Sequence, residues 1–454
     1  MFFQVRSFCP ERSILLLAGL LSSLSCAAGS AFWTTAYYPG YRQVDSMPAS
    51  AIDFTALTHV IHFSMSPNTD GSLDGSANSI TPAGTADLVS RAHAAGRKVM
   101  ICIGGAGSES AFETAASGPT LNSFVTNIVS FMSTNGYDGV DLDWEPLVPG
   151  DDMLFSNLVT TLRTALNAKS PRPSLSAATA SEPSLFASLQ NQFDQINVMT
   201  YDMAGTSEGW VTWFNAPIYD GGYRFASSGN LIPSADGLLN SFTSAGVASG
   251  KLSIGIAFYG YVEQGGAGTS TGGVTQPRQS WTTAPSLTAE TYTTIIANYY
   301  KTNLYYWDNA AQAPYLSISN ANAANDMFIS YDDTRSCQAK VSYARNNLLG
   351  GVMIWELGQD HTAGVPDPLL EAVKQALATP GSTSLQLSGN NVSLTYTAIA
   401  LGSYRVEWSS NLALGIWNTL LLTNIPGTGG PLQITDPGAK TNHFGCFYRV
   451  QTPP

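Results

Sequence analysis

Between about residues 31 and 378, short apolar runs alternate with longer stretches in which apolar residues recur at helical spacing. The runs fall at 32–38, 59–63, 99–103, 139–144, 175–178, 196–201, 252–258 and 351–357. Stretches such as 85–95, 120–135, 155–169 and 238–249 carry the helical pattern between them. Strands interleaved with helices predict a parallel sheet with right-handed crossovers, closed most economically as a (β/α)8 TIM barrel. An open doubly wound sheet is the alternative, but no glycine-rich phosphate loop follows the first run.

The seventh and eighth runs lie roughly ninety residues apart, more than a loop, a helix and a loop require. Residues 261–327 are rich in Thr, Tyr, Asn and Gly and contain strand-like pieces at 303–307 and 314–318. They predict a small inserted α+β lobe, a return through 328–333 and a helix near 338–346. On the carboxyl side of a barrel, such a lobe would wall a cleft. After residue 380 the pattern changes to period two, broken by Gly/Asn/Pro clusters, which predicts a small β-sandwich over 380–454.

The first 28 residues look like a secretory signal peptide. Arg6 and Arg12 precede an apolar run from Ile14 to Leu24, and small residues near Ala28 offer a cleavage point. A secreted or periplasmic protein is expected, with a catalytic domain over 29–379. No later run is long enough for a membrane-spanning helix. Cys102, Cys337 and Cys446 would remain after cleavage, an odd, scattered set without metal-ligand spacing or a disulfide framework. None of the five histidines is paired at helical ligand spacing, so no metal and no cofactor is expected. Net charge is −12 and only 11% of residues are charged. That balance argues against nucleic acid and suits a neutral polymer. A monomer is the expected state.

The segment with most chemistry in it is Asp138-Gly139-Val140-Asp141-Leu142-Asp143-Trp144-Glu145. Side chains on a strand alternate faces. Asp141, Asp143 and Glu145 therefore share one face, with Val140, Leu142 and Trp144 on the other. Three carboxyls pointing along a barrel interior cannot all ionise, so at least one keeps its proton near neutral pH. Glu145, nearest the mouth, is the natural acid. A rise of roughly 3.3 Å per residue places Asp143 one side-chain length below it. An acidic strand could instead hold Mg²⁺ or Ca²⁺, or form a solvated polar layer.

The D-x-x-D-x-D-x-E spacing of Asp138, Asp141, Asp143 and Glu145 resembles the signature of glycoside hydrolase family 18, the family of many chitinases. Cys102-Ile103-Gly104-Gly105 resembles its S-x-G-G motif, with Cys102 replacing serine, and Met199-Thr200-Tyr201-Asp202 its M-x-Y-D motif. Segments 255–260 and 351–356 resemble the last two strands, and the likeness covers about 31–378.

The resemblance implies a substrate-assisted retaining mechanism, an exception to the two-carboxylate scheme. Glu145 would protonate the glycosidic oxygen, and the substrate's own 2-acetamido carbonyl would attack the anomeric carbon. Asp143 would hold the acetamide N–H, with Asp141 beneath it. Tyr201 would donate to the acetamido carbonyl, Asp202 and Met199 would contact the sugar, and Trp355 would form the floor. Asp138, Gly104 and Gly105 would support the strand. Tyr37 or Tyr38 at the first strand's end, with Trp210 and Trp213 after the sixth, could stack on sugars, or could equally be packing. Many family members have an aromatic at Ala106 and an Arg at Tyr261. The implied substrate is chitin or a chitooligosaccharide. An endo-β-N-acetylglucosaminidase, a peptidoglycan-directed relative and a non-catalytic chitin-binding lectin are the competing readings. The C-terminal segment is similar to the fibronectin-like modules of secreted hydrolases.

Overall fold

The computed structural model describes residues 3–5, 32–377, 384–397, 403–410, 416–420, 425–426, 431–437, 439 and 446–451. Residues 30–374 form one compact unit; residues 1–29 and 375–454 form a second.

The first unit is the predicted barrel. Seven of its strands are β1 (Trp33–Pro39), β2 (His59–Pro67), β3 (Lys98–Gly105), β4 (Gly139–Trp144), β5 (Ser174–Thr179), β6 (Gln195–Val198) and β7 (Leu252–Ala257). A five-strand lobe follows as β8 (Tyr259–Gln264), β9 (Ser286–Thr291), β10 (Tyr305–Asp308), β11 (Ala313–Ile318) and β12 (Met327–Tyr331). Strand β13 (Gly351–Trp355) then completes the barrel. Every neighbouring barrel pair is parallel, and β1 bonds both β2 and β13, so the cylinder has no free edge.

Helices Pro82–Ala94, Leu121–Thr134, Asp152–Asn167, Pro183–Leu189, Ala235–Ser244 and Thr334–Asn346 lie between successive strands. Local chemistry starts several of them. Thr81 accepts from Gly84 N with Pro82 in the first turn, Ser234 accepts from Gly237 N, and Asp333 and Ser336 form a reciprocal cap. The barrel lumen is filled by Tyr37, Ile61, Phe63, Met100, Cys102, Ala178, Ala257 and Met353. It is a packed core, open to chemistry only at its carboxyl rim.

The lobe is larger than the expected 261–327. Its antiparallel sheet, ordered β9-β8-β12-β11-β10, takes in Tyr259, Gly260 and 328–331 as well. The flanks read as continuations of barrel strands because their apolar runs are unbroken. Gly260 lies within β8, paired with Tyr331 of β12. A Cβ there would lie 2.1 Å from Ser330 O, so only glycine lets β8 and β12 approach. Helix Tyr292–Asn298 covers one face through Ile295 packed on Val262, Leu316 and Ile329.

In the second unit, Ser384–Ser388, Asn391–Thr397 and Pro431–Asp436 form one antiparallel sheet. Ser403–Ser409, Asn418–Thr419, Ile425–Pro426 and Cys446–Gln451 form another. Val392 and Leu394 of the first sheet share a core with Val406 and Tyr448 of the second. Two sheets around one core agree with the period-two pattern. Phe3–Val5 pairs antiparallel with Cys446–Gln451, a pairing that exists only in a chain that keeps its first 28 residues. The apolar run 14–24 lies outside the described residues.

Candidate active site

Strand β4 alternates as its sequence predicts. On the outer face, Val140 and Leu142 are fully buried against the helices, and the Trp144 ring stacks on Phe112 at 4.7 Å and meets Phe155 edge-on at 6.0 Å. On the inner face, Asp141 and Asp143 are 0% and 2% exposed, and Glu145 sits half-buried one residue past the strand's end.

The deepest carboxyl is fully held. Tyr37 donates to Asp141 Oδ2 at 2.8 Å, Ser176 donates to Oδ1, and the Cys102 thiol bonds the same carboxyl. Cys102, Asp141 and Ser176 are register partners on β3, β4 and β5, so one layer of the barrel supplies two of the three donors. Burial outweighs them and pushes Asp141 up to about 6.

Asp143 is different. Its Oδ1 is buried without any hydrogen-bond partner among the described residues. Burial, then the charges of Glu145 and Asp141, hold it well above the usual carboxylate range. Glu145 is raised by burial and by the charge of Asp202, against a side-chain hydrogen bond with Asp143. The pair therefore keeps its last proton to a higher pH than a free carboxyl would.

The loop after β3 braces this ladder. Gly104 and Gly105 have φ of 109° and 116°; a Cβ on Gly104 would lie 2.1 Å from Asp143 O. Ser108 Oγ bridges the backbone, donating to Asp143 O and accepting from Glu145 N, both at 3.3 Å. Asp138 lies at the far end of the strand, where Oδ2 accepts from Val99 N and pairs with His93 Nε2, each at 2.8 Å. Its work is to tie β4 to its neighbours.

Opposite the ladder, β6 ends at Val198, three residues earlier than the apolar pattern suggested. Met199 and Thr200 already lie beyond it, and Asp202 takes a left-handed backbone with φ 58°, which Asp tolerates better than most residues. Strict alternation would set Tyr201 and Asp202 on opposite faces; leaving the strand frees both from it. Tyr201 is buried in the lumen, its hydroxyl 3.7 Å from Met353 Sδ and under the charge of Asp143. Asp202 Oδ1 accepts from Tyr259 and, at 2.9 Å, from Tyr261. Its N–H donates to Asn215 Oδ1 at 2.9 Å.

Two hollows open on this site. One of about 470 Å³ is lined by Trp355, Phe63, Tyr41, Asn78, Gly105 and Ser108. The other, of about 360 Å³, is lined by Glu145, Leu147, Thr179, Glu182 and Met199 among others. Half-buried Trp355 is fixed edge-on to Phe63 at 4.8 Å and tilted on Tyr37 at 5.4 Å.

Two expected sugar contacts have other occupations. Trp213 is 0% exposed, donates to Pro233 O at 2.8 Å and lies under the Arg278 guanidinium, so it belongs to the core beneath the lobe. Tyr37 is 1% exposed and committed to Asp141. Both are aromatics at loop or strand ends, where sequence alone cannot separate burial from display. Trp210 leans on Phe225 with centroids 4.8 Å apart and lines neither hollow. Sequence reasoning missed Ser176, Asn215 and Tyr259. Their partners lie 35, 13 and 57 positions away, so only the register of the folded barrel reveals them.

A closed parallel barrel with buried carboxyls rising to a half-buried glutamate at its rim defines a glycosidase-type site. The chain belongs to the glycosyl hydrolases family 18, whose family model matches residues 34–360. It is 31% identical over 372 residues to chitinase A1 of Niallia circulans, covering 71% of this chain and 51% of that one. The chain thus spans about half the length of that relative. Among solved structures, an N-acetylglucosaminidase of the same family from Paenibacillus barengoltzii matches with TM-score 0.61 and 26% identity, covering 76% of this chain and 99% of that one. The Group IV chitinase of Ostrinia furnacalis shares the fold with TM-score 0.65 at 22% identity, over 77% of this chain and 100% of that one.

Proposed function

We propose that this protein is a chitinase, hydrolysing β-1,4 linkages between N-acetylglucosamine units by a retaining, substrate-assisted mechanism. The observation that carries the reading is the orphaned Asp143 Oδ1, buried between Asp141 and Glu145. A buried acceptor without a donor costs roughly 1–3 kcal/mol, and an acetamido N–H is a donor of the right kind to relieve it. Asp143 then orients the acetamido group so that its carbonyl oxygen attacks the anomeric carbon. Glu145 gives its proton to the departing glycosidic oxygen and later takes one from water. Tyr201, beside Asp143 in the lumen, donates to the acetamido carbonyl, and Trp355 is the apolar floor under the sugar. Holding the nucleophile on the substrate turns a bimolecular attack into a unimolecular one, so no enzyme nucleophile is required.

Chitinase A1 supports the choice of polymer by its name, and the family N-acetylglucosaminidase makes end-wise release of single sugars the reading to exclude. Proton NMR of fresh products from chitohexaose decides both points. The expected first product is the β-anomer of a disaccharide or longer fragment. Initial α-anomer would refute the acetamide mechanism, and N-acetylglucosamine as sole early product would refute internal cleavage. We read the C-terminal sheets as a fibronectin-like accessory module.

A further inference from the structure

Asp202 is exposed, sits in a left-handed turn outside any strand, and yet takes two hydrogen bonds on one oxygen. Both donors come from β8, the first strand of the lobe. Tyr259 and Tyr261 lie two residues apart and so share a face of that strand, their rings in edge contact at 6.0 Å. Both phenols converge on Oδ1, which leaves Oδ2 without a hydrogen bond among the described residues. Behind them, buried Asn215 ties the Asp202 N–H to the Tyr259 carbonyl, accepting at 2.9 Å and donating at 3.2 Å. The lobe thus grips this turn by its backbone and by its carboxylate.

We propose that Tyr261 is a positioning residue: it acts through Asp202, fixing that carboxylate by one oxygen so that the other, with its charge, faces the saccharide and Glu145. This rests on the reading of Glu145 as the acid.

The electrostatic surroundings support the role. The groups acting on Glu145 are Asp143 on its own strand and Asp202 beyond β6; Tyr201 and, on β3, Cys102 sense its charge in turn. Among the described residues no ion pair involves Asp202 or Glu145. Two neutral phenols hold Asp202 in place without cancelling its charge. A cation in the same place would hold it equally well and screen Glu145 from it. The lobe therefore does more than wall the cleft. It sets the range of pH over which the acid keeps its proton.

The experiment is a pH profile of kcat and KM on a chromogenic chitooligosaccharide, for the unaltered full chain, Tyr261→Phe and Tyr261→Arg. Losing one hydrogen bond in Tyr261→Phe should raise KM about 3- to 10-fold with kcat changed less than about twofold. Tyr261→Arg keeps a donor but adds a charge. Its KM should stay near that of the unaltered chain, while the alkaline limb of kcat/KM moves down by about half a pH unit, the expected direction when a carboxylate neighbour is neutralised. An unchanged KM in Tyr261→Phe, or an unmoved alkaline limb in Tyr261→Arg, overturns the proposal. Absence of turnover in the unaltered chain would instead overturn the chitinase reading.

Discussion

Asp141 shows how a residue can be placed for chemistry at a cost to stability. Its carboxyl is satisfied by Tyr37, Ser176 and Cys102, yet burial still lifts it from 3.8 to about 6. A carboxyl raised in the folded state binds its proton more tightly there than in the unfolded chain. Its contribution is therefore fully present below pH 3.8 and is lost as pH rises through about 6. The difference, two units, amounts to roughly 3 kcal/mol. Asp141→Asn removes the titration and keeps one acceptor oxygen, while its NH2 meets a hydroxyl that can turn to accept. The variant's melting temperature relative to the unaltered protein should thus be higher at pH 7.5 than at pH 4.5, by on the order of a few degrees. Equal differences at the two pH values would mean that Asp141 titrates normally. At this scale the sequence was explicit about the acids, since four carboxyls at fixed spacing in eight residues leave few alternatives. It was silent about the hydroxyls and the thiol that hold them, because Ser176 is unremarkable until strand register sets it beside Asp141, and Tyr37 reaches Asp141 from the non-adjacent β1.

Strand β4 separates stability from catalysis by parity alone. Leu142 is fully buried and, by strand alternation, faces the helices rather than the lumen. Leu142→Ala should lose about 2–5 kcal/mol of unfolding free energy with kcat of the folded protein within about twofold. Asp143→Asn, one residue away on the inner face, should do the reverse. It removes a carboxyl that burial disfavours, so urea midpoints should hold or rise, while kcat falls by about 10² or more. Parallel urea titrations and kcat measurements check both; a Leu142→Ala variant with impaired kcat would break the face assignment. The same parity rule fails for Tyr201 and Asp202, and the reason is visible. Strand β6 stops at Val198, and the positive φ at Asp202 lies outside anything a period-two pattern encodes. Apolar residues running on through Met199 hid the end of the strand. The lobe's flanks follow a related rule: Tyr259 continues the apolar run of β7 but pairs across to Thr291 of β9, and Gly260 pairs with Tyr331 of β12.

For the molecule as a whole, the question is which part is sufficient. Every barrel strand, the lobe, the carboxyl ladder and both hollows lie within residues 30–374. Helix Pro368–Leu377 crosses that boundary and buries Leu369, Leu370 and Val373, so a shortened chain must keep it whole. Because the cylinder closes through β1 and β13, its stability requires no strand from elsewhere. Residues 32–379 should therefore fold alone and cleave soluble chitooligosaccharides with kcat/KM within about threefold of the full chain. The longer chain's extra sheets, with a core centred on Val406 and Tyr448, would then matter only for substrates too large to reach the rim by diffusion. Assaying both chains on chitohexaose and on colloidal chitin separates the two contributions. A shortened chain that melts cooperatively but fails on the hexamer would mean that the rim is completed by residues outside the barrel, and the site drawn from β4, β6 and β8 would be incomplete.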